Sequence, residues 1–247
     1  MANLVIDIGN SRTKLAVFSN RELQHAEIQN LNDQNWLDPL ISRFGVTNSI
    51  VSSVKTDISL LETELKARTS YTRFSPAEQR SVKITYQTPH TLGLDRLANI
   101  IGAQHLYPGK DCLVIDAGTC ITYDAIDREG NFSGGSISPG LNMRFKAMHS
   151  FTGRLPSVDP DVNFTGSQGF DTVSCMISGV QNGIFSEVTG FINSYHLHYP
   201  DLQTILSGGD AKFFDTRLKS SIFAHAFKTE PHLVLIGLNE VIHQHND

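Results

Sequence analysis

Apolar residues along this chain follow two rhythms. Residues 3–8 alternate little and are mostly apolar, the pattern of a strand buried on both faces. After Gly9-Asn10 the run Lys14–Phe18 predicts a second strand, and so a hairpin. Val46–Val54 and the short stretch Val82–Tyr86 carry further β signals. Helical spacing takes over at Ile58–Ala67, with Leu61 and Leu65 on one face. It returns at Leu92–Leu106, where Leu94, Leu97, Ala98 and Ile101 recur at i, i+3, i+4 and i+7. Pro108-Gly109 then breaks the chain. The rhythm restarts with strands at Cys112–Ile115, Ile121–Ile126 and Phe132–Ile137, the last interrupted by Gly134-Gly135. Pro139-Gly140 turns the chain into a helix near Asn142–Phe151. Thr172–Tyr195 predicts a long helix whose Gly179 and Gly183 let another backbone approach. A strand at Leu202–Leu206 and a closing helix at Leu233–His243, with Pro231 as its first residue, complete the pattern. The whole predicts an α/β protein of two similar halves, 1–109 and 110–247.

The two hairpins share more than rhythm. LVIDIGNSRTKLAVF at 4–18 is echoed by LVIDAGTCITYDAI at 113–126. A buried strand ending in Asp sets a carboxylate at the sheet's rim, where clefts form in α/β folds. The glycine that follows lets backbone N–H groups approach an anion closely. Two such turns could clamp a polyphosphate, their carboxylates holding Mg²⁺ directly or through waters. One strand-end Asp-Gly is generic, and its recurrence is what points to a phosphate clamp. Neither GxxxxGK[ST] nor GxGxxG occurs, so any nucleotide would bind through the hairpins.

Two other stretches admit a plain and a functional reading. SGGDA (207–211) is either an ordinary strand-to-helix turn or bare backbone on which an adenine ring could lie. GLDR (93–96) is either a helix cap with a solvated cation, or a general base, Asp95, beside an anion-gripping Arg96.

Composition narrows the classes. With 247 residues, 40% hydrophobic and 18% charged, the chain can bury a sizeable core. A net charge of −5 and no Lys/Arg run argue against nucleic acid as a partner. Cys112, Cys120 and Cys175 show no CxxC spacing, which fits reduced thiols in the cytoplasm. Asp7 interrupts the first apolar run, and no stretch approaches the ~20 apolar residues of a membrane span, so neither a leader nor a membrane partner is expected. The sequons at Asn131 and Asn163 lack any other sign of secretion. His196/His198 and His243/His245 lack the surrounding cysteines or carboxylates of a metal site.

Taken in order, these elements resemble the type III pantothenate kinase family of the actin-like/Hsp70/sugar-kinase superfamily. D-x-G-N-[TS]-x-x-K is matched by Asp7, Gly9, Asn10, Ser11 and Lys14, and G-x-D-R by Gly93, Asp95 and Arg96. D-x-G-T-x-x-T-x-D is matched by Asp116, Gly118, Thr119, Thr122 and Asp124. GGSISPG (134–140) and SGGDA follow in their expected places. The departures are Ser11, where Thr is commoner, and Cys120, where Ala is commoner.

The resemblance implies two actin-like (ribonuclease H-like) halves with an interdomain nucleotide cleft. It implies ATP-dependent phosphorylation of pantothenate to 4'-phosphopantothenate, the first step toward coenzyme A. ATP, with Mg²⁺, would be bound by Asp7, Ile8, Gly9, Asn10, Ser11, Arg12, Thr13, Lys14 and Thr119. Asp116 would bind a monovalent cation, K⁺ or NH₄⁺, and Asp95 would accept the proton. Pantothenate would meet Tyr86, Gly93, Leu94, Asp95, Arg96 and Thr172. The resemblance also implies a homodimer sharing its substrate pocket, with the Thr172–Tyr195 helix as candidate interface. The alternatives are a kinase of another small hydroxy substrate, a non-catalytic regulator, and an actin-like assembly ATPase. A substrate panel, the retained acids and pantothenate-independent turnover separate them.

Overall fold

The opening apolar run becomes the centre of a sheet. In the computed structural model, which describes residues 1–10, 12–30, 36–54 and 57–246, β1 (Ala2–Ile8), β2 (Thr13–Ser19) and β3 (Glu22–Gln29) form an antiparallel meander. α1 (Leu37–Phe44) leads to β4 (Val46–Ser53), and α2 (Ser59–Arg68) to β5 (Ser70–Arg73). These strands add in parallel, giving the order β3-β2-β1-β4-β5. Both faces of β1 are covered, which explains why its apolar residues do not alternate with exposed ones. Leu4, Ile6 and Ile8 pack with Leu15, Val17 and the buried leucines of α1 and α2. On the other face Asn3 donates to Asn239 Oδ1 at 2.9 Å and accepts from Asn48 Nδ2 at 3.0 Å.

The next elements are β6 (Lys83–Ile84), α3 (Leu94–Leu106), β7 (Cys112–Ala117), β8 (Cys120–Ile126) and β9 (Asn131–Pro139). They are followed by α4 (Leu141–Ser150), α5 (Thr172–His198), β10 (Gln203–Ser207), α6 (Ala211–Lys219), β11 (Phe227–Thr229) and α7 (Leu233–Asn246). The second sheet runs β11-β10-β7-β8-β9-β6, with β7, β10 and β11 parallel. Its β9-β8-β7-β10-β11 portion repeats the strand order of the first sheet. The duplication heard in the sequence is therefore a duplication of topology.

The chain divides into two compact units. The first comprises Met1–Gly109, Ile126–Ser133 and His232–Asp247, and the second Lys110–Ala125 and Gly134–Pro231. α7 joins the first unit because it packs on α3 and across β1 and β4. Gly237 permits that contact: a Cβ there would overlap the Ala98 carbonyl oxygen.

Two boundaries differ from the sequence pattern. The strand expected over Val82–Tyr86 narrows to Lys83–Ile84, which pair with Asn131 and Phe132 just before Gly134 takes φ 127°. Pro231 is not the first residue of α7. Glu230 N–H still donates to the Leu206 carbonyl at 2.9 Å, so the chain is tied to β10 there. The helix is entered instead at His232, whose carbonyl accepts from Ile236 N–H at 2.9 Å.

Candidate functional site

The first acidic turn is built by β1 and β2. Asp7, at the end of a fully buried run, is itself 8% exposed and lies opposite Lys14 of β2 and Ser52 of β4. Gly9 N–H closes the turn on the Arg12 carbonyl at 3.1 Å. Ile8 and Thr13 are buried, Lys14 is half-buried, and Asn10 and Arg12 are exposed. Ser11 lies outside the described residues. The result is a buried carboxylate under a polar rim carrying two cations.

A second cluster in the same unit surrounds the start of α3. Buried Leu92 anchors the approach, Gly93 is the half-in cap, and Asp95 and Arg96 fall in the first turn. The Asp95 carboxylate accepts from Arg96 N–H at 2.8 Å, where the helix N-terminus favours an acid. Asp95 is exposed and Arg96 is buried. The Arg96 guanidinium lies 5.6 Å from the centroid of the Tyr86 ring, a cation–π contact. Tyr86 in turn stacks on Phe132 at 6.4 Å with planes 3° apart. Tyr86, Gly93, Leu94, Asp95 and Arg96 are thus gathered at one place. Phe132 is the member that sequence reading passed over, its only signal being an apolar position in a predicted strand.

The second acidic turn joins β7 and β8. Gly118 N–H donates to the Cys120 carbonyl at 2.9 Å, leaving Thr119 exposed and Asp116 half-buried. β10 runs alongside with Ser207 opposite Asp116. Gly208, at φ 96°, follows at once, and a Cβ there would overlap Asp116 Oδ1 and the Ala117 carbonyl oxygen. Asp210 N–H donates to that same carbonyl at 2.8 Å. SGGDA is therefore a strand-to-helix turn into α6 and also bare backbone laid against the second acidic turn. Thr172 opens α5 in this unit and is exposed. Asp171 caps that helix, its carboxylate accepting from Ser174 N–H at 3.0 Å while its own N–H donates to Ser174 Oγ at 3.1 Å.

The profile of the family described as type III pantothenate kinase matches residues 3–194. The chain belongs to the type III pantothenate kinase family. A type III pantothenate kinase of Phocaeicola vulgatus is 42% identical over 247 residues, covering 99% of each chain. Among solved structures, one described as a Baf family transcriptional activator from Campylobacter jejuni superposes with TM-score 0.61 at 22% identity, over 98% of each chain. A glucokinase from an Antarctic psychrotroph superposes with TM-score 0.52 at 12% identity, over 100% of this chain and 99% of its own. These two likenesses show the actin-like, sugar-kinase fold.

Like the pattern of this pantothenate kinase family, the chain extends its second acidic turn through β8 into GGSISPG. The buried Tyr123 of β8 stacks on Phe191 of α5, with centroids 3.9 Å apart. Its hydroxyl donates to Glu187 Oε1 at 2.8 Å. Burial, and then the negative Glu187, push the Tyr123 hydroxyl well above the usual phenol range. For Glu187 burial pulls upward, but hydrogen bonds from Ser138, Arg144 and Tyr123 together outweigh it and hold the carboxyl below the ordinary range. Among the described residues no group of three or more His, Cys, Asp or Glu gathers where it could hold a metal ion. Nor is any of their helices long and apolar enough to cross a membrane.

Proposed function

We propose that the chain is a pantothenate kinase, transferring the γ-phosphoryl group of ATP to the terminal hydroxyl of pantothenate to give 4'-phosphopantothenate, the first step toward coenzyme A. The observation that carries this reading is 42% identity to a type III pantothenate kinase over 99% of both chains. Asp7, Lys14, Asp95, Arg96, Asp116 and Thr119 are all retained.

Phosphoryl transfer needs little covalent help, so positioning and charge neutralisation dominate. The Asp7–Lys14 turn offers backbone N–H groups and the Lys14 ammonium to the ATP phosphates, and Thr119 adds a hydroxyl from the second turn. Asp95 accepts a hydrogen bond from the substrate hydroxyl and takes its proton as that oxygen attacks the γ-phosphorus. The bond to the β-phosphate oxygen breaks, and ADP leaves with the electron pair. The Arg96 N–H bond fixes one carboxylate oxygen of Asp95, and the exposed group presents the second toward solvent. Arg96, steadied by Tyr86, suits the pantothenate carboxylate.

The rim beside Asp116 suits a small cation: the half-buried carboxylate is a hard oxygen donor, and the Gly208 backbone packs close against it. Asp116 would hold a monovalent cation, K⁺ or NH₄⁺, and Mg²⁺ would offset charge on the transferring phosphoryl group. A homodimer through α5 fits the helix surface. Gly179, Gly183 and Gly190 form one stripe with nothing within 4 Å of where a Cβ would stand. The need for ATP favours the cytoplasm. A purely regulatory role leaves Asp95 and Lys14 without a task.

A coupled ADP-release assay tests the reading. Turnover should require pantothenate and fall when Na⁺ replaces K⁺. Asp95→Asn should lower kcat by about 10²–10⁴. ADP release without pantothenate, or full activity in Asp95→Asn, would overturn it.

A further inference from the structure

The GGSISPG corner has no task in the mechanism above, yet its contacts lead straight to the second acidic turn. Ser138 Oγ donates to Glu187 Oε1 at 2.5 Å. Arg144, one turn into α4, donates from Nη2 to Glu187 Oε2 at 2.6 Å and from Nε to the Pro139 carbonyl at 2.8 Å. The next residue, Gly140, donates its N–H to the Thr119 carbonyl at 3.1 Å. A Cβ on Gly140 would overlap the Gly118 carbonyl oxygen, so the corner lies flat against the turn.

Glu187 is the only Asp, Glu, Lys or Arg in the 27 residues of α5. Its helical neighbours Ile184 and Val188 are fully buried, which fixes where the carboxylate stands. Three donors, Tyr123, Ser138 and Arg144, converge on its two oxygens. A carboxylate satisfied in this way has one geometry, and so do its partners.

We propose that Glu187 is a positioning residue for phosphate binding: through Arg144 and the Ser138–Gly140 corner it fixes the backbone of the Gly118–Thr119 turn. This rests on the reading that the turn meets the ATP phosphates. Loosening the carboxylate frees the corner, and the turn then orders itself only at the expense of ATP affinity. Pantothenate should be spared, because Tyr86 and Arg96 belong to the first unit, and Thr172 stands at the far N-terminal end of α5, held by its own Asp171–Ser174 cap.

The test compares the full-length chain with Glu187→Gln, Ser138→Ala and Tyr123→Phe, measuring kcat, both KM values and the melting temperature. Glu187→Gln should raise KM for ATP by roughly two- to thirtyfold, the span of coupling through packed networks. KM for pantothenate should stay within about twofold, and Ser138→Ala should give a smaller change of the same kind. Tyr123→Phe removes one donor from Glu187 but leaves the Ser138 and Arg144 bonds to it in place, so it should lower the melting temperature without raising KM for ATP. If KM for ATP follows melting temperature across all three variants, Glu187 is only structural and the proposal fails. If Glu187→Gln does not fold, Ser138→Ala decides, and an unchanged KM for ATP there overturns the proposal. A parent chain that does not phosphorylate pantothenate sinks the underlying function instead.

Discussion

The three cysteines occupy three settings, and their chemistry divides accordingly. Cys112 is fully buried at the start of β7, and burial, with Asp111 beside it, pushes its thiol up to about 12. Cys120 is half-buried and Cys175 is exposed near the start of α5. Only thiolates react. A thiol reagent near pH 8 should therefore modify Cys175 readily and Cys112 only after denaturation, as peptide mass spectrometry would report. Early labelling of Cys112 in the native chain would contradict its burial. Chemistry at this scale is legible in sequence where it is local. Asp7, Asp116 and the Asp95-Arg96 pair sit in turns or caps made by their own neighbours, so motif spacing finds them. Phe132 and Glu187 act on residues that only folding brings near, Tyr86 and Arg144. Their traces are slight: an apolar position in a strand for Phe132, and for Glu187 a lone Asp, Glu, Lys or Arg in a long helix.

At the scale of elements, periodicity finds the pieces that bury a face and passes over those defined by their neighbours. β3 is a mostly polar, largely exposed edge strand held by its pairing with β2. β5 and β11 have four and three residues, too few for a period to register. The packing of α7 on α3 is equally silent, because it depends on a missing side chain. Gly237→Ala puts a Cβ on the Ala98 carbonyl oxygen and should cost about 1–3 kcal/mol, the usual penalty of overpacking. A lower urea midpoint would report it, and an unchanged midpoint would mean that α7 can move off α3. The Glu187 network gives α5 a dependence on acid. Its carboxyl is held below its ordinary value of 4.5, so the stability it confers is present above that pH and is lost as pH falls through the lower folded value. Urea midpoints of the parent and Glu187→Gln should differ most near neutrality and converge below about pH 4.5. A gap that persists undiminished in stronger acid would remove the network from the account.

At the scale of the molecule, the duplicated sheet order explains why one acidic turn recurs: each copy of β1 or β7 ends at the rim of an equivalent sheet. Assembly should hinge on the bare stripe of α5. Gly183→Arg fills open space within one chain but would stand where a partner backbone must approach. Sedimentation velocity should then show monomers in place of dimers, with pantothenate phosphorylation lost. Intact dimers would move the interface elsewhere.

The placement of α7 also sets a timetable. It covers β1 and β4, yet in sequence it follows residues 110–231, a stretch that holds all of the second unit. A ribosome adding about 5–20 residues per second needs roughly 6–24 s to make that intervening stretch. Throughout this interval the mixed face that carries Asn3, Val5, Asn48 and Ile50 stands without its covering helix, exposing backbone and side chains that chaperones can hold. The unit begun first is thus the one finished last, and a nascent chain stalled before residue 232 would hold an open core.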